Sequence, residues 1–381
     1  MTNSVAAAGL KVQKWDADFF MEYIQENPFK RYFGTDENSI IQMKEDTVKR
    51  YQKITFALVN KLAGAGVTGS STLEGNEEAM LSRSFAVTVD KLRNAVRVAE
   101  IEEQYSAIDL RKAARATLMD WAMEVGSMNR IIAALSDING VAYASATATQ
   151  ADAWLDDNTD RVMFGGTAAA APIALATDAP AGGATYDLSA TLTDLTVANG
   201  GWDSAGDAAA FLSRLRRKAL AASPKIRPIR VSAQNRRYYV VFVNPRTMAD
   251  IKADTVITNA QKDVTLTEEN NRLFQGGDIY WDGMIVHEVD NLSIANWATA
   301  GAAGIPLAPV YLCGAQAIAH GLAKRWKSVT EDFDYGDKHG VAIETIDAIE
   351  KMTFGSNAST ETGDLKDHGV ATGYHAVIAT L

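Results

Sequence analysis

Between Glu45 and Glu100 two strand-like runs bracket a stretch with almost nothing apolar to bury. The first run is Ile54-Thr55-Phe56-Ala57-Leu58-Val59 and the second is Phe85-Ala86-Val87-Thr88-Val89. Between them lie Gly64-Ala65-Gly66-Val67-Thr68-Gly69 and a small, polar and acidic tip from Ser70 to Glu78. β-runs around residues rich in Gly, Ser, Thr and Glu predict a long hairpin arm. Such a tip cannot carry a core of its own. It is ordered most easily by lying on another surface, and a second copy of the same chain is the expected partner. A long amphipathic helix is predicted directly afterwards, and the combination suggests an assembly subunit more than an enzyme.

Composition narrows the field. At 381 residues, 47% of them hydrophobic, the chain can bury a large core in two or three lobes. No run approaches the roughly 18 apolar residues of a membrane span. The opening Met1-Thr2-Asn3-Ser4-Val5 shows no basic-then-apolar leader pattern. The single cysteine, Cys313, allows no internal disulfide and no multi-cysteine zinc site, which fits folding in a reducing cytoplasm. A net charge of −10 argues against tight nucleic-acid binding, since phosphate contact needs a positive surface. Basic clusters at Arg111-Lys112 with Arg115, at Arg214 with Arg216-Arg217-Lys218, and at Lys324-Arg325 with Lys327 read as solvated faces or salt bridges.

Helical and strand patterns alternate without a βαβ rhythm, which predicts an α+β fold. Trp15, Phe19, Phe20, Tyr23 and Ile24 mark a short helix ended by Asn27-Pro28. Leu118, Trp121, Val125, Met128, Ile132 and Leu135 form one apolar stripe, predicting a helix over 107–137, roughly 45 Å long at about 1.5 Å per residue. Ser106 with Asp109 resembles its capping signal, Gly140 its stop, and a sheet its packing partner. Residues 139–205 shift to Ala, Gly and Thr and are expected to be a surface insertion of short elements and loops. A helix over 205–222, a buried strand over Tyr238–Val243 turning at Asn244-Pro245, and a hairpin around Asp282-Gly283 are predicted next. Gly314 to Leu322 reads as an apolar helical run, with Cys313 at its start and His320 as a core or boundary residue.

Chemical motifs fail in their context. Gly64, Gly66 and Gly69 match a dinucleotide fingerprint, with Asp90 where a ribose-binding acid could sit. The third glycine, however, should open a helix packed on the sheet, and Ser70 to Ser84 lacks helical periodicity. The acidic run Glu331 to Asp337 with His339 lacks calcium-loop spacing and reads as a solvated turn or subunit contact. His287, His320, His339, His368 and His375 have no metal-type spacing and pair with no nucleophile motif. No catalytic, cofactor or metal residue is expected.

The order of these parts resembles the major capsid proteins of tailed bacteriophages and prophages with the Hong Kong 97-type fold. The resemblance is carried first by Asn38-Ser39-Ile40-Ile41-Gln42-Met43-Lys44-Glu45-Asp46, the Ile54 run, Gly64-Ala65-Gly66-Val67 and Leu73-Glu74-Gly75-Asn76-Glu77-Glu78. Leu92-Arg93-Asn94-Ala95-Val96-Arg97, Ser106-Ala107-Ile108-Asp109-Leu110-Arg111 and Asp120-Trp121-Ala122 continue it. These look like the short-tailed-phage capsid family. Val241-Phe242-Val243-Asn244-Pro245, Trp281 to Val286 and Leu312 to Ala317 carry a looser signature shared by many capsids.

The resemblance implies an N-terminal arm (1–49), an extended hairpin loop (50–100), a spine helix of the peripheral domain (101–138), the insertion (139–205) and a peripheral helix with its connection (206–237). A mostly axial domain (238–330) and a return to the peripheral domain with C-terminal strands (331–381) would follow. It implies hexamers and pentamers closing into an icosahedral shell, assembled in the host bacterial cytoplasm around double-stranded DNA that is held by weak, non-specific contact. Separate scaffolding, portal and decoration proteins are further implied partners. The subunit-contact residues would be Gly64, Gly66, Val67, Gly69, Leu73, Glu74 and Asn76. An encapsulin-like compartment or another homopolymeric array is the competing reading. A nicotinamide-dependent oxidoreductase is the remote one.

Overall fold

The computed structural model describes residues 27–46, 53–59, 66–69, 72–78, 82–106, 108–138, 140–141, 148–164, 207–231, 236–262, 279–292, 295–296, 306–355 and 365–376. The expected helix around Trp15 and Phe19 lies outside them. The chain divides into two units. Of the described residues, the smaller takes Asn27, Asp90–Met128 and Lys324–Asp347, and the larger takes the others.

In the smaller unit, β5 (Asp90–Ala99) runs antiparallel to β14 (Lys338–Lys351), from Ala99 opposite Lys338 to Asp90 opposite Asp347. The far half of β13 (Ile318–Phe333) is the next strand. After α1 (Glu100–Tyr105), helix α2 (Leu110–Met123) lays Leu118 and Trp121 over Val96, Val341 and Ile343. This is the sheet packing that the stripe predicts. The predicted single helix over 107–137 needs correction. It starts at Leu110, where the Asp109 carboxylate, not Ser106, accepts from the Lys112 amide at 3.0 Å. A π-turn over Glu124–Met128 then shifts the phase, leaving Val125 exposed, and α3 (Asn129–Leu135) ends before Gly140. Gly126 sits in that turn because Trp326 covers it: an added Cβ would lie 2.6 Å from the indole.

The larger unit is built on a mixed sheet in the order β6 (Val162–Phe164), β17 (Val370–Ala376), β12 (Pro306–Cys313), β8 (Arg236–Val243), β10 (Met284–Glu288), β9 (Ile279–Trp281). Tyr239 to Val243 are buried, as a strand covered on both faces requires. Asp282 and Gly283 turn β9 into β10 with φ of 44° and 74°. Helix α5 (Asp207–Ala221) packs Phe211, Leu212 and Leu215 into this core, and Gly373 leaves room for the Phe211 ring. Asn244 caps α6 (Pro245–Ala253) by accepting from the Thr247 amide at 2.7 Å.

Two further expectations change here. Gly314 to Leu322 is not helical: a turn at Ala315–Gln316 leads into β13, which pairs in parallel with β2 (Ile41–Glu45). Ile318, Ala319, Gly321 and Leu322 are all buried, so no alternation marks the strand. Cys313 accordingly ends a strand, fully buried, and burial pushes its thiol well up, out of reach of nucleophilic chemistry. The region 139–205 is not wholly a surface insertion either. α4 (Ala148–Asp157) and β6 belong to the larger unit's core, with Trp154 and Leu155 buried, while 165–206 lies outside the described residues.

Candidate assembly surfaces

The arm grows from the larger unit. β3 (Lys53–Val59) pairs antiparallel with β4 (Ser82–Thr88), Lys53 opposite Thr88 and Val59 opposite Ser82. Its root is anchored: Ile54, Phe56 and Val87 are buried against Ala319, Ala348, Met352 and Phe354. A hollow of about 390 Å³ opens at that root, lined in part by Phe85, Arg130, Asp137 and Glu350. Burial raises both carboxyls above their usual range.

The tip has no such support. Leu73 is 63% exposed, and Gly66, Gly69, Glu74 and Asn76 are exposed with it, while Val67 is half-buried. Gly66, Gly69 and Gly75 have φ of 71°, 69° and 87° with open space where a Cβ would stand. The glycines therefore serve left-handed backbone. The described tip residues that follow Gly69 form a turn, closed by the Asn76 amide donating to the Leu73 carbonyl at 3.0 Å. The helix a dinucleotide site needs is not present at 72–78. Gly64 lies outside the described residues.

The run Glu331–Asp337 is the end of β13 and the turn Asp334–Asp337 that joins it to β14, with Tyr335 fully exposed at φ 55°. His339 Nδ1 meets Asp332 there, and Lys338 donates to Asp334 at 2.9 Å. On the adjoining strands Lys324 and Lys91 hold the Glu344 carboxyl down to about 2.

A buried polar network in the larger unit was almost wholly missed by the sequence reading. Lys351 Nζ donates to Asp367 Oδ2 at 2.8 Å and to the Asp137 carbonyl at 2.5 Å, beneath the Trp154 ring at 5.5 Å. The pair's side chains are 1% and 2% exposed. Arg161 donates to the carbonyls of Asp367, His368 (3.0 Å) and Pro224 (2.8 Å), and Asn158 Oδ1 accepts from the Asp367 amide at 2.8 Å. These bonds tie α4 to the C-terminal strands. A charge beside a short apolar run, as in Arg161-Val162-Met163, was the one available signal.

Neither surface has the convergent acids, bases or ligands of a reactive centre, and among the described residues no acidic, histidine or cysteine cluster could hold a metal. What the geometry offers is contact: an uncovered arm tip and an exposed hairpin turn. A family model described as phage capsid protein matches residues 3–379. The chain belongs to the phage capsid protein family. The major capsid protein of Pseudomonas phage KPP25 is 28% identical to this capsid protein over 375 residues, covering 95% of this chain and 94% of that one. The capsid of cyanophage Pam1 matches at 27% identity with a TM-score of 0.78, covering 100% of both chains. The capsid of Ralstonia phage GP4, at 20% identity, shares the fold with a TM-score of 0.72, again over 100% of both chains. The α+β fold is thus the phage capsid fold that the Hong Kong 97-type resemblance implied. As a capsid protein, the chain is a component of the virion and works by associating with copies of itself.

Proposed function

We propose that this capsid protein is the main building block of an icosahedral shell, forming hexamers and pentamers around double-stranded DNA in the cytoplasm of a bacterial host. The arm over 50–100 reaches onto a neighbouring subunit, and its tip residues Gly64, Gly66, Val67, Gly69, Leu73, Glu74 and Asn76 make the contact. The helical run after it serves as a spine, 238–330 lies mostly towards the capsomer axis, and the protein catalyses no reaction. Separate scaffolding, portal and decoration proteins complete the particle. The observation that carries the reading is the arm: its root is packed into the subunit, while Leu73 and the residues around it are exposed on the single chain. An extended segment with so little apolar surface gains order only by docking. Light scattering and electron microscopy of the purified chain with its scaffolding protein should show capsomers or closed particles. A compact monomer under every assembly condition would refute it.

A further inference from the structure

The buried pair Lys351 and Asp367 has the arrangement of two reactants as well as that of an ion pair. Lys351 ends β14, and Asp367 ends β16 (Leu365–Asp367), which runs antiparallel to β15 (Thr353–Gly355). These strands and the Trp154 ring hold Nζ 2.8 Å from Oδ2, with both side chains almost wholly out of water.

A buried ion pair offsets its desolvation only when further hydrogen bonds satisfy both partners. Asp367 does not meet that condition. Its Oδ2 accepts from Lys351 and, at 3.4 Å, from Trp154 Nε1, while Oδ1 is buried with no hydrogen-bond partner among the described residues. The nearby guanidinium leaves it unserved, because Arg161 directs both terminal nitrogens to the carbonyls of Asp367, His368 and Pro224. An amide joining the two side chains would have what the ion pair lacks. Its one N–H would keep the Asp137 carbonyl, already 2.5 Å from Nζ, and its one oxygen would keep the Trp154 indole. Neither a charge nor an orphan acceptor would remain. Lys324 also meets a carboxylate, that of Glu344, but that pair is partly in water, where hydration sustains the charges.

We infer that Lys351 and Asp367 condense into an intrachain isopeptide bond once the larger unit has folded. One proton crosses the hydrogen bond from Nζ to the carboxylate, leaving a neutral amine beside a neutral acid. The Nζ lone pair attacks Cγ, and the Nζ–Cγ bond forms. The Cγ–Oδ1 bond breaks, and Oδ1 leaves as water with the transferred proton and a second one from Nζ. Ammonium and carboxylate become one amide and one water, so no oxidant or other co-reactant is needed. Fixing the two groups in one geometry supplies the rate that the same groups lack when free in water. Lys351 and Asp137 line the hollow of about 390 Å³ at the arm root, which gives the water a way out. The change is made once, to the chain itself, and does not depend on the assembly reading.

Intact mass spectrometry of the full chain, denatured after expression and again after assembly, should find it lighter than its sequence by one water. Trypsin should fail to cut after Lys351 and should release the segments containing Lys351 and Asp367 joined. Lys351→Arg keeps the positive charge and should restore the full mass. The native chain decides the matter even if that variant fails to fold: full mass before and after assembly, with ordinary cleavage after Lys351, would overturn the inference. A deficit that persists in Lys351→Arg would overturn it as well, since the water would then have left elsewhere, as at Asp282-Gly283.

Discussion

At the scale of single residues, the buried charges decide most. Lys351 and Asp367 are out of water together, so each depends on the other. Lys351→Met should cost about 3–5 kcal/mol, because it strands the Asp367 carboxylate, whereas Lys351→Met with Asp367→Leu should cost less than either change alone. Urea unfolding of the three variants measures the difference. His368 gives a pH signature. Burial, with Arg161, Arg227 and Arg83 nearby, pushes its imidazole down to about 3, and its ring meets Phe354 edge-on at 4.8 Å. Unfolded, the ring protonates near its ordinary 6.5, so between these values the unfolded chain holds the extra proton. Stability should therefore fall as pH drops from 6.5 towards 3, by at most about 1.4 kcal/mol per pH unit. His368→Leu should flatten that slope in unfolding titrations. An equal slope in both proteins would show that the ring is not the sensor.

At the scale of elements, root and tip of the arm should part company. Deleting Gly66 to Asn76 removes Leu73 and Val67 as its only large aliphatic residues, so the thermal midpoint of the subunit should barely move while assembly fails. Hydrogen exchange over the described tip residues should be fast in the free subunit and slow in the shell. Equal protection in both states would count against docking. The arm was legible because Phe56 and Val87 alternate with small or polar neighbours and glycines mark the turns. Helix α2 was legible for a parallel reason, the three-and-four spacing of Leu118 and Trp121. The start of β13 was not, since burial on both faces erases alternation at Ile318–Leu322. Trp326, which covers Gly126 in the π-turn, lies some two hundred residues away, and no local pattern reports such a partner. Sequence separation likewise hid the contacts of Arg161 with Asp367, 206 residues apart, that complete the Lys351–Asp367–Arg161 network. The charges on the smaller unit's sheet were half visible: Lys324, Arg325 and Lys327 stood out as a cluster, but only the pairing of β5 with β14 brings Arg93 and Arg97 to the same sheet.

At the scale of the whole molecule, charge sets the relation to a packaged genome. With a net charge of −10, free subunits should bind duplex DNA weakly and release it by moderate salt. Assembled shells, which carry the same charge per subunit, should bind no more tightly. Filter binding across a salt series tests both, and a salt-resistant complex would contradict the reading.

The topology also governs timing. β17 lies between β6 and β12, so the larger unit's sheet cannot close until residue 376 has left the ribosome. The smaller unit is interrupted in the same manner, since β5 waits for β14. Non-local pairings of this kind form late and slowly. A nascent chain, or one terminated before Phe354, thus displays no finished arm root, and one terminated before β14 no finished smaller-unit sheet. Proofreading against defective copies is built into strand order, before any lattice exists to be spoiled by them.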